Sequence, residues 1–129
     1  MKHLPTALLQ HTLRDGCHYD WLIADPRRPG DADAMLWAAR CPWPRARWRA
    51  AGSWLITVLP PHRRAYLTWQ GPVSGDRGTV RRIDQGHAVV HRWAASVCIV
   101  DVTMARFAGR ITLTRLNRST WRAAVTARG

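Results

Sequence analysis

Two histidines and an aspartate near the amino terminus are the residues of this chain best suited to chemistry. They stand in the run His11-Thr12-Leu13-Arg14-Asp15-Gly16-Cys17-His18-Tyr19-Asp20. His18 and Asp20 are two apart in the alternating stretch His18 to Ile23, so a strand there projects both from one face. The segment Ala7 to Gln10 ahead of His11 is also strand-like, and Arg14-Asp15-Gly16 carries turn chemistry. A hairpin bending at that turn returns His11 to the side of His18. Two imidazoles and a carboxylate gathered in this way form a facial donor set. It suits manganese, iron or zinc, with positions left open for water or substrate. A plainer reading leaves the three as polar surface residues, because a His-x-Asp pair by itself is common.

The elements that must position these residues read as strands throughout. After His18–Ile23 comes a turn-rich stretch from Asp25 to Asp31, then a strand over 34–39. Arg40 to Gly52, with Pro42, Pro44 and several arginines, reads as an irregular basic loop. Leu55 to Leu59 is an apolar strand that Pro60-Pro61 stops. Ala65 to Gln70 is expected to be another strand, and Gly71 to Gly78 a glycine-punctuated loop. Thr79–Ile83 and His87–Trp93 flank Asp84-Gln85-Gly86, a hairpin signal with glycine at the turn. Strands over 97–104, 109–116 and 120–125 complete the chain. No window of a dozen residues carries a helical apolar period, so little helix is expected. Many short, closely spaced strands suggest an all-β barrel or sandwich. A length of 129 residues suits a single domain, 1–129, with a core of its own.

The charge is the strongest global feature. Lys and Arg total 20 against 8 acids, a formal charge of +12, and with 47% hydrophobic residues the chain is not disordered by composition. Every acid is Asp and Lys2 is the only lysine. A preference for arginine codons explains arginine over lysine but not the shortage of acids. A self-repelling excess of this size marks a polyanionic partner, and arginine offers phosphate a planar two-pronged donor. Nucleic acid is the expected partner.

The remaining conspicuous residues have quieter readings. Trp21, Trp54, Trp69 and Trp93 sit within strand patterns and read as core or half-core. Trp43 and Trp48, among Arg45, Arg47 and Arg49, are candidates for stacking on an exposed base. Cys17, Cys41 and Cys98 form no Cys-x-x-Cys pair and read as ordinary buried or half-buried thiols. His87 and His91 read as barrel surface or lining, and His3 as part of a frayed terminus. No apolar run is long enough for a membrane span and no signal peptide is evident, so a cytoplasmic location is expected.

Three blocks of sequence carry a resemblance. The first is His11…His18-Tyr19-Asp20. The second runs from Leu59-Pro60-Pro61-His62-Arg63-Arg64-Ala65-Tyr66-Leu67 through Trp69-Gln70-Gly71-Pro72-Val73-Ser74-Gly75-Asp76-Arg77-Gly78-Thr79-Val80. The third is Phe107 to Leu116, ahead of Trp121. In order and spacing, over nearly the whole chain, these blocks resemble the 3′-phosphoesterase module of bacterial DNA ligase D, especially its free-standing small relatives. The middle block is the most specific. The resemblance implies a β-barrel that uses a manganese-type ion to remove a 3′-phosphate or a terminal ribonucleoside, in the service of a separate ligase or polymerase. Carried over by position, it implies His11, His18 and Asp20 as metal ligands. It implies His62 as the residue that contacts the scissile phosphate and donates a proton, and Tyr66 as the residue that orients it.

Three positions depart from that family. It carries an arginine two residues after the metal aspartate and another eight residues before the phosphate histidine; here these are Leu22 and Trp54. Its acidic residue before the histidine is Pro61 here. Arg14, Arg63, Arg64 and Arg77 are the candidates to replace the missing phosphate contacts. The expectation is therefore a monomeric, manganese-dependent enzyme acting on 3′ ends of DNA or RNA. The alternatives are a non-catalytic, metal-containing basic barrel that binds nucleic-acid ends, and a site for another phosphorylated substrate such as a nucleotide.

Overall fold

The computed structural model describes residues 3–42 and 47–126. Trp43 and Arg45 of the basic loop therefore lie outside the described residues. Nine strands alternate with short turns. They are β1 (His3–Leu13), β2 (Gly16–Ala24), β3 (Leu36–Cys41), β4 (Ser53–Val58), β5 (Gly71–Pro72), β6 (Thr79–Trp93), β7 (Val97–Met104), β8 (Ala108–Arg115) and β9 (Thr120–Thr126). One helical turn, α1 (Trp48–Ala51), precedes β4. The strands pair antiparallel in the order β1-β2-β3-β4-β9-β8-β7-β6, and β6 pairs back onto β1. This closes an eight-stranded barrel and removes the open edges that invite aggregation. The two-residue β5 adds only to the outside of β6.

The pairing register sorts side chains into two faces. Leu8 lies opposite Trp21, Trp21 opposite Ala39, and Leu113 opposite Ala123, which in turn faces Trp54. This set points inward and is buried. Aromatic rings fill the centre: Trp48 stacks on Trp54 with centroids 5.0 Å apart and meets Trp21 at 5.3 Å and Phe107 at 5.2 Å. Trp48 is completely buried, so it is core and not the base-stacking residue that its arginine neighbours suggested. The helical turn that delivers it to the barrel is absent from the sequence reading of 40–52. Trp69, read as core or half-core, is 48% exposed.

Two further expectations are corrected. The signal at Asp84-Gln85-Gly86 is not a hairpin, because β6 runs unbroken from Thr79 to Trp93. Gly86 serves close packing instead: a Cβ there would overlap the Thr103 carbonyl oxygen and come within 2.8 Å of the Met104 Cα. The predicted strand over 65–70 is a 3-10 turn, Arg64–Leu67, since no neighbouring strand offers it a ladder. His3 is not frayed: it opens β1 opposite Val89. Of the cysteines, Cys41 and Cys98 are buried as expected, while Cys17 is exposed.

Ala7, Leu9, Leu22, Leu36 and Ala38 point outward by the same register and are nevertheless buried. The segment from Leu59 to Gly78 crosses this outer face as a flap. It is clipped to β3 by paired backbone bonds between Leu36 and His62, and to β6 where Gly71 meets Val80. Arg82 of β6 binds its middle, donating to the Leu67 carbonyl at 3.1 Å. Leu59, Tyr66 and Leu67 pack down onto the barrel from it.

Candidate metal centre

The expected hairpin forms. β1 and β2 pair with His11 opposite His18 and Leu9 opposite Asp20, so His11, His18 and Asp20 share the outer face. They meet beneath the edge of the flap, on the outside of the barrel. His11 Nδ1 lies 3.0 Å from His18 Nε2 and 4.0 Å from Asp20 Oδ2, and His18 Nε2 lies 3.7 Å from the same oxygen. A divalent first-row ion with bonds of about 2.1 Å holds neighbouring donors about 3.0–3.4 Å apart, so little closure is needed.

The protons of the cluster fit a cation better than they fit an empty site. His11 Nε2 lies 2.6 Å from the Arg77 carbonyl oxygen, which can only accept, so Nε2 carries the hydrogen and Nδ1 of the neutral ring is bare. A metal-bound histidine usually donates its far ring N–H to a carbonyl or carboxylate in this way, which fixes the tautomer and the ring's orientation. Arg40 Nη2, which can only donate, lies 3.2 Å from His18 Nε2 and calls for a lone pair there too. Asp20 is buried, and its Oδ1 has no hydrogen-bond partner. Two imidazole nitrogens and a buried carboxylate oxygen thus converge, with at most one hydrogen between the two rings. The group can hold a metal ion, and it is the only such cluster among the described residues.

Neighbouring charges set the protonation of the two other rings in reach. Burial pushes His18 below its ordinary pKa. Asp20 opposes this, while Arg40, His11 and His62 add to the lowering. A neutral His18 is the form that binds metal. Attraction to the Asp20 carboxylate pushes His62 above its ordinary value against the effect of burial, helped by the bond from Nδ1 to the Pro60 carbonyl at 3.1 Å. That bond turns Nε2 toward Asp20 Oδ2, 3.9 Å away. His62 reaches the site because its backbone pairs with Leu36, on the same face as Asp20.

A cleft of about 470 Å³ opens above the cluster between barrel and flap. His11, Asp20, His62, Tyr66, Arg63 and Arg77 all line it. The Tyr66 ring stands nearly edge-on to His62, with centroids 5.9 Å apart. The Arg77 guanidinium folds back onto Ser74, leaving its carbonyl to hold His11. Arg14 is exposed on the β1–β2 turn and does not line the cleft, and Arg64 opens on a separate cavity beside His3 and Arg28. Of the four arginines expected at the phosphate, two are at the cleft. Leu22 and Trp54 cannot take part: Leu22 is fully buried beneath the flap, and Trp54 faces the barrel interior.

Sequence reasoning missed Arg40. It lies directly opposite Asp20 across the β2–β3 pair and lines the cleft. Its only sequence signal was the strand over 34–39, one residue short of it. Elsewhere on the outer face, His91 and Arg110 both bind the Asp101 carboxylate, at 2.7 and 2.9 Å, and hold its pKa down to about 2. His87 packs on His3. Both histidines are surface residues, as read from the sequence. No helix among the described residues is long and apolar enough to cross a membrane. Compared with known proteins, the chain matches no family model and no curated protein.

Proposed function

We propose that the protein is a metal-dependent phosphoesterase acting on the 3′ ends of DNA or RNA, with His11, His18 and Asp20 as ligands of a manganese-type ion. The observation that carries this reading is the convergence of three donor atoms, from His11, His18 and Asp20, 3.0–4.0 Å apart, beside a cleft that His11 and Asp20 line together with His62 and arginines. A divalent ion there supplies Lewis-acid charge against a phosphoryl oxygen. His62, its pKa raised beside Asp20, carries the proton needed to stabilise the phosphate or to protonate the leaving oxygen. Tyr66 limits the tilt of that imidazole from the side. Arg63 and Arg77 supply positive charge at the cleft, and the net charge of +12 favours a nucleic-acid substrate over a small neutral one. The same reading makes the protein a cytoplasmic monomer that prepares ends for a separate polymerase or ligase. Among transition metals, manganese is favoured over zinc by the resemblance alone.

A second reading has one observation in its favour. With Leu22 buried and Trp54 inside the barrel, neither family arginine position reaches the cleft. In this reading the barrel holds its metal and binds nucleic-acid ends without cleaving them. One experiment separates the two. A labelled primer–template ending in a 3′-phosphate or a single 3′-ribonucleotide is incubated with manganese, beside the His11→Ala variant. Manganese-dependent dephosphorylation or shortening that the variant lacks supports the enzyme. Salt-sensitive binding with no turnover on either end supports the binding module.

A further inference from the structure

We infer that Arg40 is the phosphate-binding residue of the cleft, supplied from β3, and that it couples binding of the anion to binding of the metal. This rests on the metal reading above. Register places Arg40 opposite Asp20, so its side chain leaves the sheet on the same outer face as the three donors. Its guanidinium bridges them, with Nη2 3.2 Å from His18 Nε2 and Nε 3.9 Å from Asp20 Oδ1. The second contact is an ion pair too long for a hydrogen bond, so Asp20 attracts the guanidinium without taking up its N–H donors. The side chain is 48% exposed and lines the cleft. Of its five N–H donors, one has an acceptor within hydrogen-bonding distance among the described residues, and that acceptor is His18 Nε2.

The geometry sets a conflict that an anion resolves. Guanidinium keeps its charge at every working pH. An ion held by His18 Nε2 would take the lone pair that faces Arg40, and would add a second positive charge beside the guanidinium. Each cation weakens the other. A phosphate monoester spanning the two offers oxygens to both, and the planar donor fork of Arg40 matches them in pairs. Metal therefore favours phosphate, and phosphate favours metal by the same factor. Arg63 and Arg77 lack this linkage. Arg77 is turned onto Ser74, and Arg63 makes no ion pair or hydrogen bond to a donor of the cluster among the described residues.

The test titrates the full chain with manganese, with and without a saturating nucleoside 3′-monophosphate, in wild type, Arg40→Gln and Arg40→Lys. Retained thermal stability shows that each variant is folded. The expected result is that the monophosphate tightens manganese binding about tenfold in wild type, a coupling of ordinary size. In Arg40→Gln the enhancement falls to within about twofold of unity, while manganese alone binds as tightly as in wild type or more so. Arg40→Lys keeps the charge without the fork and recovers part of it. An enhancement that survives in full in Arg40→Gln overturns the inference and leaves the metal centre standing, as does a wild type that binds manganese with no enhancement. A wild type that binds no manganese overturns both.

Discussion

Gly78 gives a way to disturb the proposed metal centre without touching a proposed ligand. It sits at φ +81, and a Cβ there would overlap the Thr12 carbonyl oxygen, lie 3.1 Å from the Thr12 carbonyl carbon and 3.3 Å from Leu13 Cδ2. The clash is with backbone, which cannot swing aside as a long side chain does. In Gly78→Ala the flap must therefore withdraw from β1. Arg77 goes with it, and its carbonyl is the anchor of His11. A withdrawal of about 1 Å takes the 2.6 Å His11–Arg77 bond past the length of a true hydrogen bond. With the anchor gone, His11 is free to change tautomer, and loss of such outer partners typically costs about 10–100-fold in metal affinity. The left-handed backbone adds a stability cost of about 1–2 kcal/mol. Gly52→Ala is the control, because it has the same kind of backbone, φ +76, with nothing within 4 Å of its Cβ. Calorimetric titration with manganese is expected to show at least a tenfold loss in Gly78→Ala and none in Gly52→Ala, while both lose thermal stability. Wild-type manganese affinity in Gly78→Ala would refute the proposed role of the flap.

Two other substitutions separate chemistry from folding. His62→Gln is expected to leave manganese affinity within a few-fold of wild type while turnover falls by about 10²–10⁴, the usual worth of a positioned acid. At low pH the proposed activity is lost with the metal, because His11 and His18 must be unprotonated to hold it. On the alkaline side the contribution of protonated His62 persists above the ordinary imidazole value and is lost as pH rises through the raised one. A pH–rate profile checks this, and a falling limb unchanged in His62→Gln would contradict it. Trp48→Ala, which empties a fully buried site between Trp54, Trp21 and Phe107, is expected to cost about 3–5 kcal/mol in chemical denaturation. A loss under about 1 kcal/mol would mean the aromatic cluster is not the centre of the core.

The all-β barrel and the grouping of His11, His18 and Asp20 were legible in the sequence, whereas the contacts made between distant strands were not, and the reason is range. His18 and Asp20 share a face because strand periodicity is strictly local. His11 joins them across a two-residue turn, and that is local too. Arg40 reaches Asp20 only through the pairing of β2 with β3, across a turn-rich connection whose length sets no register by itself. Flat charge counting in the Arg40–Gly52 stretch also hid Trp48, whose place in the core depends on rings from β2 and β4. Gly86 shows the opposite error. Its dipeptide neighbourhood reads as a hairpin, yet the residue is small because the Thr103 backbone presses on it from the next strand. The flap misled for a related reason. Residues 65–70 alternate like a strand, but Tyr66 and Leu67 pack down on the outside of the closed barrel and the segment pairs with no strand, while Trp69 stays exposed.

The most direct test of the metal centre is manganese binding followed by electron paramagnetic resonance, in wild type and in Asp20→Asn and His18→Ala. The expected result is one tightly bound ion per chain in wild type, with nitrogen couplings from two imidazoles, one of which disappears in His18→Ala, and weak or no binding in Asp20→Asn. Tight binding that survives both substitutions, or a bound ion without imidazole couplings, would contradict the assignment of His11, His18 and Asp20 as its ligands.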